Sequence, residues 1–210
     1  MTDKRIILFL TLVLGFLSAV RKTPFVVALD HESYLWAMNM SYSTVWLRIW
    51  EAITALGEGY FVYPLVAMPA IVFLASQRSR PAVWYVVLMI FLFCLSPVLK
   101  NIFQYPRPVS LSPYTDLLTY SYPSGHAVNA VVMFYFLPRF AARVFGNPKS
   151  WRLTSPWIAM SGTTLVAGSR VILGVHWLAD VLAGVVLGAL ISILLLKIFE
   201  KISPYSNSNQ

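Results

Sequence analysis

The sequence predicts an all-α fold: a polytopic membrane helix bundle of about six transmembrane helices, with short interfacial helices between the first and second spans. Three observations predict it. Of the 210 residues, 58% are hydrophobic and 11% are charged, against about 45–50% and about 25% in soluble domains. So few charged groups cannot cover a soluble globule, and so apolar a chain is not disordered. The charges that remain also stand between long charge-free stretches, most of them near the ~20 residues that cross a hydrocarbon core. A single integral membrane domain over residues 1–210 accounts for the chain.

The spans follow in order. Residues 6–20 come after Lys4 and Arg5 and form the first. A rival reading makes them a secretory signal cleaved after Ser18-Ala19, which leaves the rest of the topology unchanged. Residues 33–47 are charge-free too, but Tyr34, Trp36, Tyr42 and Trp46 alternate there with Ser, Asn and Thr. That blend suits the headgroup region, so short interfacial helices or a loop are expected instead of a span. Residues 59–77 and 81–99 supply the second and third spans, 117–138 the fourth, 153–169 the fifth and 181–196 the sixth. Their apolarity is continuous instead of one-sided, as a helix facing lipid requires, and barrels need shorter alternating segments. The single cysteine, Cys94, excludes an intramolecular disulfide and reads as a small buried hydrophobe in the third span. A polar Ser-Asn tail follows Pro204.

The net charge of +8 does not imply a nucleic-acid partner, because the cations form neither a block nor a basic face. They orient the bundle instead. With the N-terminus inside, ten of the sixteen fall on the cytoplasmic side: Lys4, Arg5, Arg78, Arg80, Arg139, Arg143, Lys149, Arg152, Lys197 and Lys201.

Three polar knots then share the outer side. Lys100-x6-Arg107-Pro108 leaves the third span, Pro123-Ser124-Gly125-His126 re-enters the membrane, and Ser169-Arg170-x5-His176-x3-Asp180 joins the fifth span to the sixth. In the second, Ser124 is a good helix cap and Gly125 admits close backbone approach. Such a start is either an anion site or a capped helix whose histidine happens to face the interface. His176 and Asp180 are four apart, so on a helix they share a face. The carboxylate would fix one imidazole nitrogen and leave the other nucleophilic, or the two form a buried ion pair steadying the sixth span. A metal held by His126, His176 and Asp180 is disfavoured by Lys100, Arg107 and Arg170, which repel cations and attract anions. Two histidines and three cations on one membrane face suit phosphoryl transfer: one imidazole attacks phosphorus, the other protonates the leaving oxygen, and the cations hold the remaining oxygens.

The three blocks resemble those of the type-2 phosphatidic acid phosphatase family, the membrane branch of a superfamily shared with vanadium haloperoxidases. The resemblance lies in residues 100–180, and the six-span layout extends it; residues 21–58 carry no motif. It implies a metal-independent, cofactor-free lipid phosphatase working through a phosphohistidine. His176 is then the nucleophile, Asp180 its orienting partner and His126 the general acid. Lys100, Arg107, Ser124, Gly125, Ser169 and Arg170 form the phosphate-binding set, and Pro108 and Pro123 shape the loops.

The expected substrate is a lipid phosphate or diphosphate whose tail stays in the bilayer. Undecaprenyl diphosphate comes first, then phosphatidylglycerol phosphate, phosphatidate and lipid A phosphate. The expected location is a bacterial inner (plasma) membrane with the site facing the periplasm or outside. The alternatives are a lipid phosphotransferase using the same site and a non-enzymatic anionic-lipid transporter; a haloperoxidase is disfavoured because that branch is soluble. Glu58, at the mouth of the second span, either contacts the headgroup or assists proton transfer, or is a plain interfacial carboxylate; the last reading is preferred and leaves it outside the site. Nothing in the sequence sets an oligomeric state.

Overall fold

The computed structural model describes residues 3–40, 43–109, 119–145 and 149–202, with side chains omitted at 3, 149–155 and 202. Among these residues there are only helices: α1 (Asp3–Val20), α2 (Pro24–Met38), α3 (Thr44–Ala55), α4 (Gly59–Val66), α5 (Met68–Ala75), α6 (Ser79–Phe103), α7 (Gly125–Val131), a π-helical turn at Val132–Phe136, α8 (Leu137–Phe145), α9 (Lys149–Ile172) and α10 (Leu178–Ile202). Each of the six expected spans falls largely within a helix or a run of helices.

The boundaries differ in instructive ways. Length and apolarity suffice for a crossing in Thr44–Ala75, Ser79–Phe103, Gly125–Phe145 and Leu178–Lys201, and α1 with α2 makes a further pair bent by 88°. The second span thus starts some way before residue 59, because α3, α4 and α5 together make one apolar run over Thr44–Ala75. Ala67 interrupts that run where Pro69 withholds an N–H from the helix. The fourth span begins at Gly125 instead of 117, since Pro123 and the capping position at Ser124 set the start; residues 117 and 118, like the Ser-Asn tail, lie outside the described residues. α9 is 24 residues long, but its Ser, Thr and Gly content keeps it out of the strongly apolar class. Short interfacial helices are expected over 33–47; α2 ends and α3 begins within that stretch, α3 belongs to the apolar run Thr44–Ala75, and residues 41 and 42 lie outside the described residues.

α10 lies at the centre, against α1, α2, α6, α7, the π-turn and α9. Its core side chains Leu187, Ile191, Leu195 and Phe199 meet Val62, Val66 and Phe73 of α4 and α5, Tyr85 and Leu92 of α6, and Val128, Val132, Phe136 and Phe140 of the α7–α8 rod. In lipid, apolar burial adds little between helices, and close packing of small residues takes its place. Gly184 and Gly188 of α10 do this. A Cβ on Gly184 would stand 2.5 Å from the Ser124 carbonyl oxygen, and one on Gly188 2.7 Å from that of Val128. The start of α7 therefore rests directly on the α10 backbone.

The surface away from this core is apolar, with Leu8, Phe9, Leu12, Phe16, Ile71, Trp84, Ile90 and Phe91 exposed. Cys94 is exposed with them, not buried as expected. An apolar run cannot distinguish inside from outside when the surroundings are themselves apolar.

Buried polar groups gather at one end. Arg21 at the end of α1, Asp30 of α2, Thr54 of α3, Ser121 and Ser124 ahead of α7, Ser169 and Arg170 at the end of α9, and His176 and Asp180 at the start of α10 are all below 10% exposed.

Candidate active site

α10 starts at Leu178, so His176 sits in the connection ahead of it instead of on the helix with Asp180. The pair still meets, because Asp180 turns back on its own helix start. Its Oδ2 accepts the Trp177 N–H at 3.0 Å, the returning half of a capping box. His176 Nδ1 then lies 3.4 Å from the same oxygen.

Ser121 stands between them. Its Oγ is 3.2 Å from His176 Nδ1 and donates to Asp180 Oδ2 in a short hydrogen bond. On the other carboxylate oxygen, Oδ1, Arg21 donates from 3.2 Å. Arg21 also pairs with Asp30, and Asp30 accepts the Ala179 N–H at 2.9 Å. The α1–α2 corner is thus tied to the first turn of α10 through buried charges that pair with one another.

The far side of His176 is cationic. Arg107 Nη1 lies 3.0 Å from His176 Nε2, and a guanidinium is always a donor. Nε2 therefore carries the lone pair, and Nδ1 carries the proton, directed at Ser121 and Asp180. Burial holds His176 well below the ordinary imidazole range, and the positive charges of Arg170, Arg107 and Lys100 lower it further. It is a neutral base with its free electron pair in a field that draws anions.

Arg107 is fixed by the segment before α7, donating from Nε to Thr119 O at 2.7 Å and from Nη2 to Thr119 Oγ1 at 3.0 Å. Lys100, in the last turn of α6, donates to Tyr120 O at 2.6 Å and to Ser121 O at 3.1 Å. Arg170 is 2% exposed, and its Nη1 donates to Thr54 Oγ1 at 2.6 Å. Its Nε is buried without a partner among the described residues.

The remaining expected residues divide. Ser124 occupies the cap position of α7 but makes no side-chain cap bond, and its buried Oγ has no partner among the described residues. Its backbone N–H donates to Asp180 O at 3.0 Å, which joins the second and third polar knots. Gly125 packs tightly against nothing: a Cβ there would find only Ser96 Oγ, at 3.9 Å. The missing side chain thus leaves room at the helix start that no protein atom needs. Ser169 turns away, donating to Val166 O of its own helix at 2.6 Å. His126 makes the contact the sequence did not suggest, with Nε2 3.1 Å from Glu58 Oε1; Glu58 is a partner of the site and not a plain interfacial carboxylate.

Sequence reasoning also missed Arg21, Asp30, Thr54, Thr119 and Ser121. Three of these lie in residues 21–58, where no motif guided the reading. Ser121, two residues ahead of Pro123, looked like loop.

Arg107 therefore touches one neutral imidazole, Arg170, Lys100 and a second imidazole lie within electrostatic range of it, and the start of α7 is joined to the same connection through the Ser124 N–H and Asp180 O. Such an arrangement can take a tetrahedral oxyanion and attack it. Comparison with known proteins gives the family. Residues 81–204 match the sequence profile of the PAP2 superfamily. The chain is 32% identical over 169 residues to phosphatidylglycerophosphatase B of Bacillus subtilis (strain 168), the match covering 76% of this chain and 79% of that one. It is 31% identical over 157 residues to an undecaprenyl-diphosphatase of Sulfolobus acidocaldarius, covering 70% and 69%. The crystal structure of a transmembrane PAP2-type phosphatidylglycerolphosphate phosphatase from Bacillus subtilis superposes with a TM-score of 0.81, over 94% of this chain and 98% of that one, at 27% identity. Aquifex aeolicus LpxE shares the fold at 21% identity, with a TM-score of 0.53 over 85% and 98% of the two chains. The chain is an integral membrane protein and belongs to the PAP2 superfamily.

Proposed function

We propose that this protein hydrolyses a lipid phosphate or diphosphate at the outer face of a plasma membrane, through a phosphohistidine on His176 and without a metal. One observation carries the reading: His176 Nε2 has its lone pair directed at Arg107, 3.0 Å away, with its other nitrogen held toward Ser121 and Asp180. A phosphoryl group drawn to Arg107 would take the place of its N–H beside that lone pair, within reach of Nε2. Arg170 supports the same reading, since a guanidinium buried with one hydroxyl partner calls for an anion.

In the first step Nε2 bonds to phosphorus while the bond to the leaving oxygen breaks, and His126 gives that oxygen its proton. The positive charge gained by His176 is met by Asp180. In the second, water attacks phosphorus, the P–N bond breaks and returns its electrons to Nε2, and His126 recovers a proton from the water. Arg107 and Arg170, with Lys100 and Ser124, balance the charge on the non-bridging oxygens. The bilayer-facing apolar surface keeps the tail in lipid while the headgroup enters this pocket. The relatives named for phosphatidylglycerophosphate and undecaprenyl diphosphate support those two substrates ahead of others.

The test is phosphate release by purified protein from a panel of lipid mono- and diphosphates, compared as kcat/KM. Release from at least one, its loss in His176→Ala, an acid-labile phosphoenzyme in rapid-quench samples and indifference to a chelator are expected. A phosphorylated product formed from an added acceptor lipid assigns the site to phosphotransfer instead. Absence of release from every lipid overturns the proposal in favour of headgroup binding alone, and metal-reversible inhibition by the chelator overturns metal independence.

A further inference from the structure

The chain between α3 and α4, Leu56-Gly57-Glu58, forms an elbow pressed against α7. Glu58 takes the cap position of α4 with extended backbone (φ −69°, ψ 142°), yet its carboxylate makes no cap bond to its own helix. It goes instead to His126, with Oε1 3.1 Å from Nε2. The elbow is locked there by Asn129, one turn beyond His126, whose Nδ2 donates to Gly57 O at 2.8 Å. The ring also lies against the Gly57 backbone: a Cβ at that position would stand 3.1 Å from His126 Cδ2 and 2.8 Å from Val166 Cγ1. A side chain at 57 would crowd both the ring and Val166. These contacts serve one imidazole, and together they fix its orientation.

We infer that Glu58 is the positioning residue of the leaving-group acid: its carboxylate holds the Nε2–H of His126, turns Nδ1 to the substrate as the proton donor, and is the counter-ion of the imidazolium. The inference rests on the reading of His126 as that acid. Before transfer the ring is doubly protonated, with Nε2–H on Glu58 and Nδ1–H on the leaving oxygen. Transfer moves the Nδ1 proton to that oxygen as the P–O bond breaks, leaving neutral imidazole with its Nε2–H still on the carboxylate. Water attack on the phosphohistidine returns a proton to Nδ1, so Glu58 keeps the same charge throughout.

The charge balance around the ring makes the carboxylate necessary. The groups that face His126 are Glu58 from the elbow, Arg170 from α9, Arg107 from the connection after α6 and His176 from the connection before α10. Glu58 in turn faces His126, Arg170 and the Tyr63 phenol of α4. Among these described groups Glu58 is the sole anion beside two guanidinium ions. Without it an imidazolium at this place would meet only positive charge. The Glu58 side chain is 40% exposed and that of His126 16%, so solvent screens part of the attraction and the expected effect is moderate.

The test compares Glu58→Gln, Glu58→Asp and His126→Ala in detergent micelles, with dioctanoyl phosphatidic acid and p-nitrophenyl phosphate as probes. Gln still accepts the Nε2–H, so the fold is kept while the charge is removed. The alkaline limb of kcat/KM for phosphatidic acid is expected to move down by about one pH unit in Glu58→Gln, a loss of about tenfold at pH 8 and little at pH 5.5. With p-nitrophenyl phosphate, whose leaving group departs without a proton, the loss is expected to stay below about twofold. Glu58→Asp, which keeps the charge, is expected to restore the limb. An equal loss with both probes at every pH, or an unaltered profile beside an inactive His126→Ala, overturns the role of Glu58 alone. A His126→Ala protein as active as wild type on phosphatidic acid overturns the acid assignment itself, and the inference with it.

Discussion

Ser121 stands between the two residues whose spacing first suggested a nucleophile. Its hydroxyl donates to Asp180 Oδ2 while lying 3.2 Å from His176 Nδ1, so the proton on Nδ1 is held as much by the serine as by the carboxylate at 3.4 Å. Ser121→Ala removes the relay and is expected to lower kcat by about tenfold to a hundredfold with little change in KM, the usual cost of losing the group that orients an imidazole. An unchanged kcat in phosphate-release assays would show that Asp180 orients the ring alone. His176 also makes a stability prediction. Its folded-state pKa lies well below the 6.5 of an unfolded imidazole, so the unfolded chain binds the extra proton more readily than the folded one. The stability tied to the neutral ring is fully present above pH 6.5 and is lost as pH falls toward the depressed folded value. The melting temperature in detergent between pH 7.5 and 4.5 should therefore fall more steeply for wild type than for His176→Gln, and parallel curves would contradict this. The block spacing in the sequence brought out His176, Asp180, Arg107 and Arg170, since type and interval are written in the chain. Ser121 has neither: a serine among tyrosines ahead of a proline gains its meaning only when the α10 start folds against it.

The elements place these residues by close helix contact. α7 rests on α10 at Gly184 and Gly188, where added Cβ atoms would lie 2.5 and 2.7 Å from backbone carbonyl oxygens. Carbonyls on a helix cannot swing aside as a side-chain tip does, so the helices must separate. Gly184→Ala is expected to cost about 1–3 kcal/mol of stability. It should also lower activity beyond that loss, because the displaced atom belongs to Ser124, which fixes the start of α7. Gly15→Ala in α1 is the matched control, since a Cβ there meets nothing within 4 Å, and it is expected to be neutral or slightly stabilising by helix propensity. Equal melting temperatures and rates for the two variants would show that the α7–α10 contact does not position the site. Because hydrocarbon excludes charge whatever the tertiary arrangement, gaps in charge found the stretches that become the long helices, although α9 falls short of the apolarity of the other crossings. They did not find the helix ends, as the start of α7 at Gly125 instead of 117 shows, nor the way α3 runs on into α4. They also could not place Arg21, Asp30 and Glu58, each of which acquires its partner from a helix distant in the chain.

At the scale of the whole molecule the cations divide along the bundle axis. Arg21, Lys100, Arg107 and Arg170 stand at the helix ends that form the site. Arg78 and Arg80 at the start of α6, Arg139 and Arg143 of α8, and Lys197 and Lys201 near the end of α10 stand at the other. From Asp180 to Lys197 along α10 is about 25 Å at 1.5 Å per residue, close to the ~30 Å of a hydrocarbon core. The two groups therefore sit at opposite membrane surfaces. On the proposed orientation, the excess of Lys and Arg away from the site lies on the cytoplasmic side, and the pocket is expected to face outward, where a lipid phosphate of the outer leaflet would reach it without crossing. Cysteine labelling in intact cells checks this. Cys94 lies on the lipid-facing surface of α6 and should resist a membrane-impermeant maleimide throughout, which makes the natural chain its own blank. In this background Lys22→Cys should label from outside, and Lys201→Cys only after the cells are permeabilised. The reverse pattern would turn the molecule over and require its substrates to come from the inner leaflet.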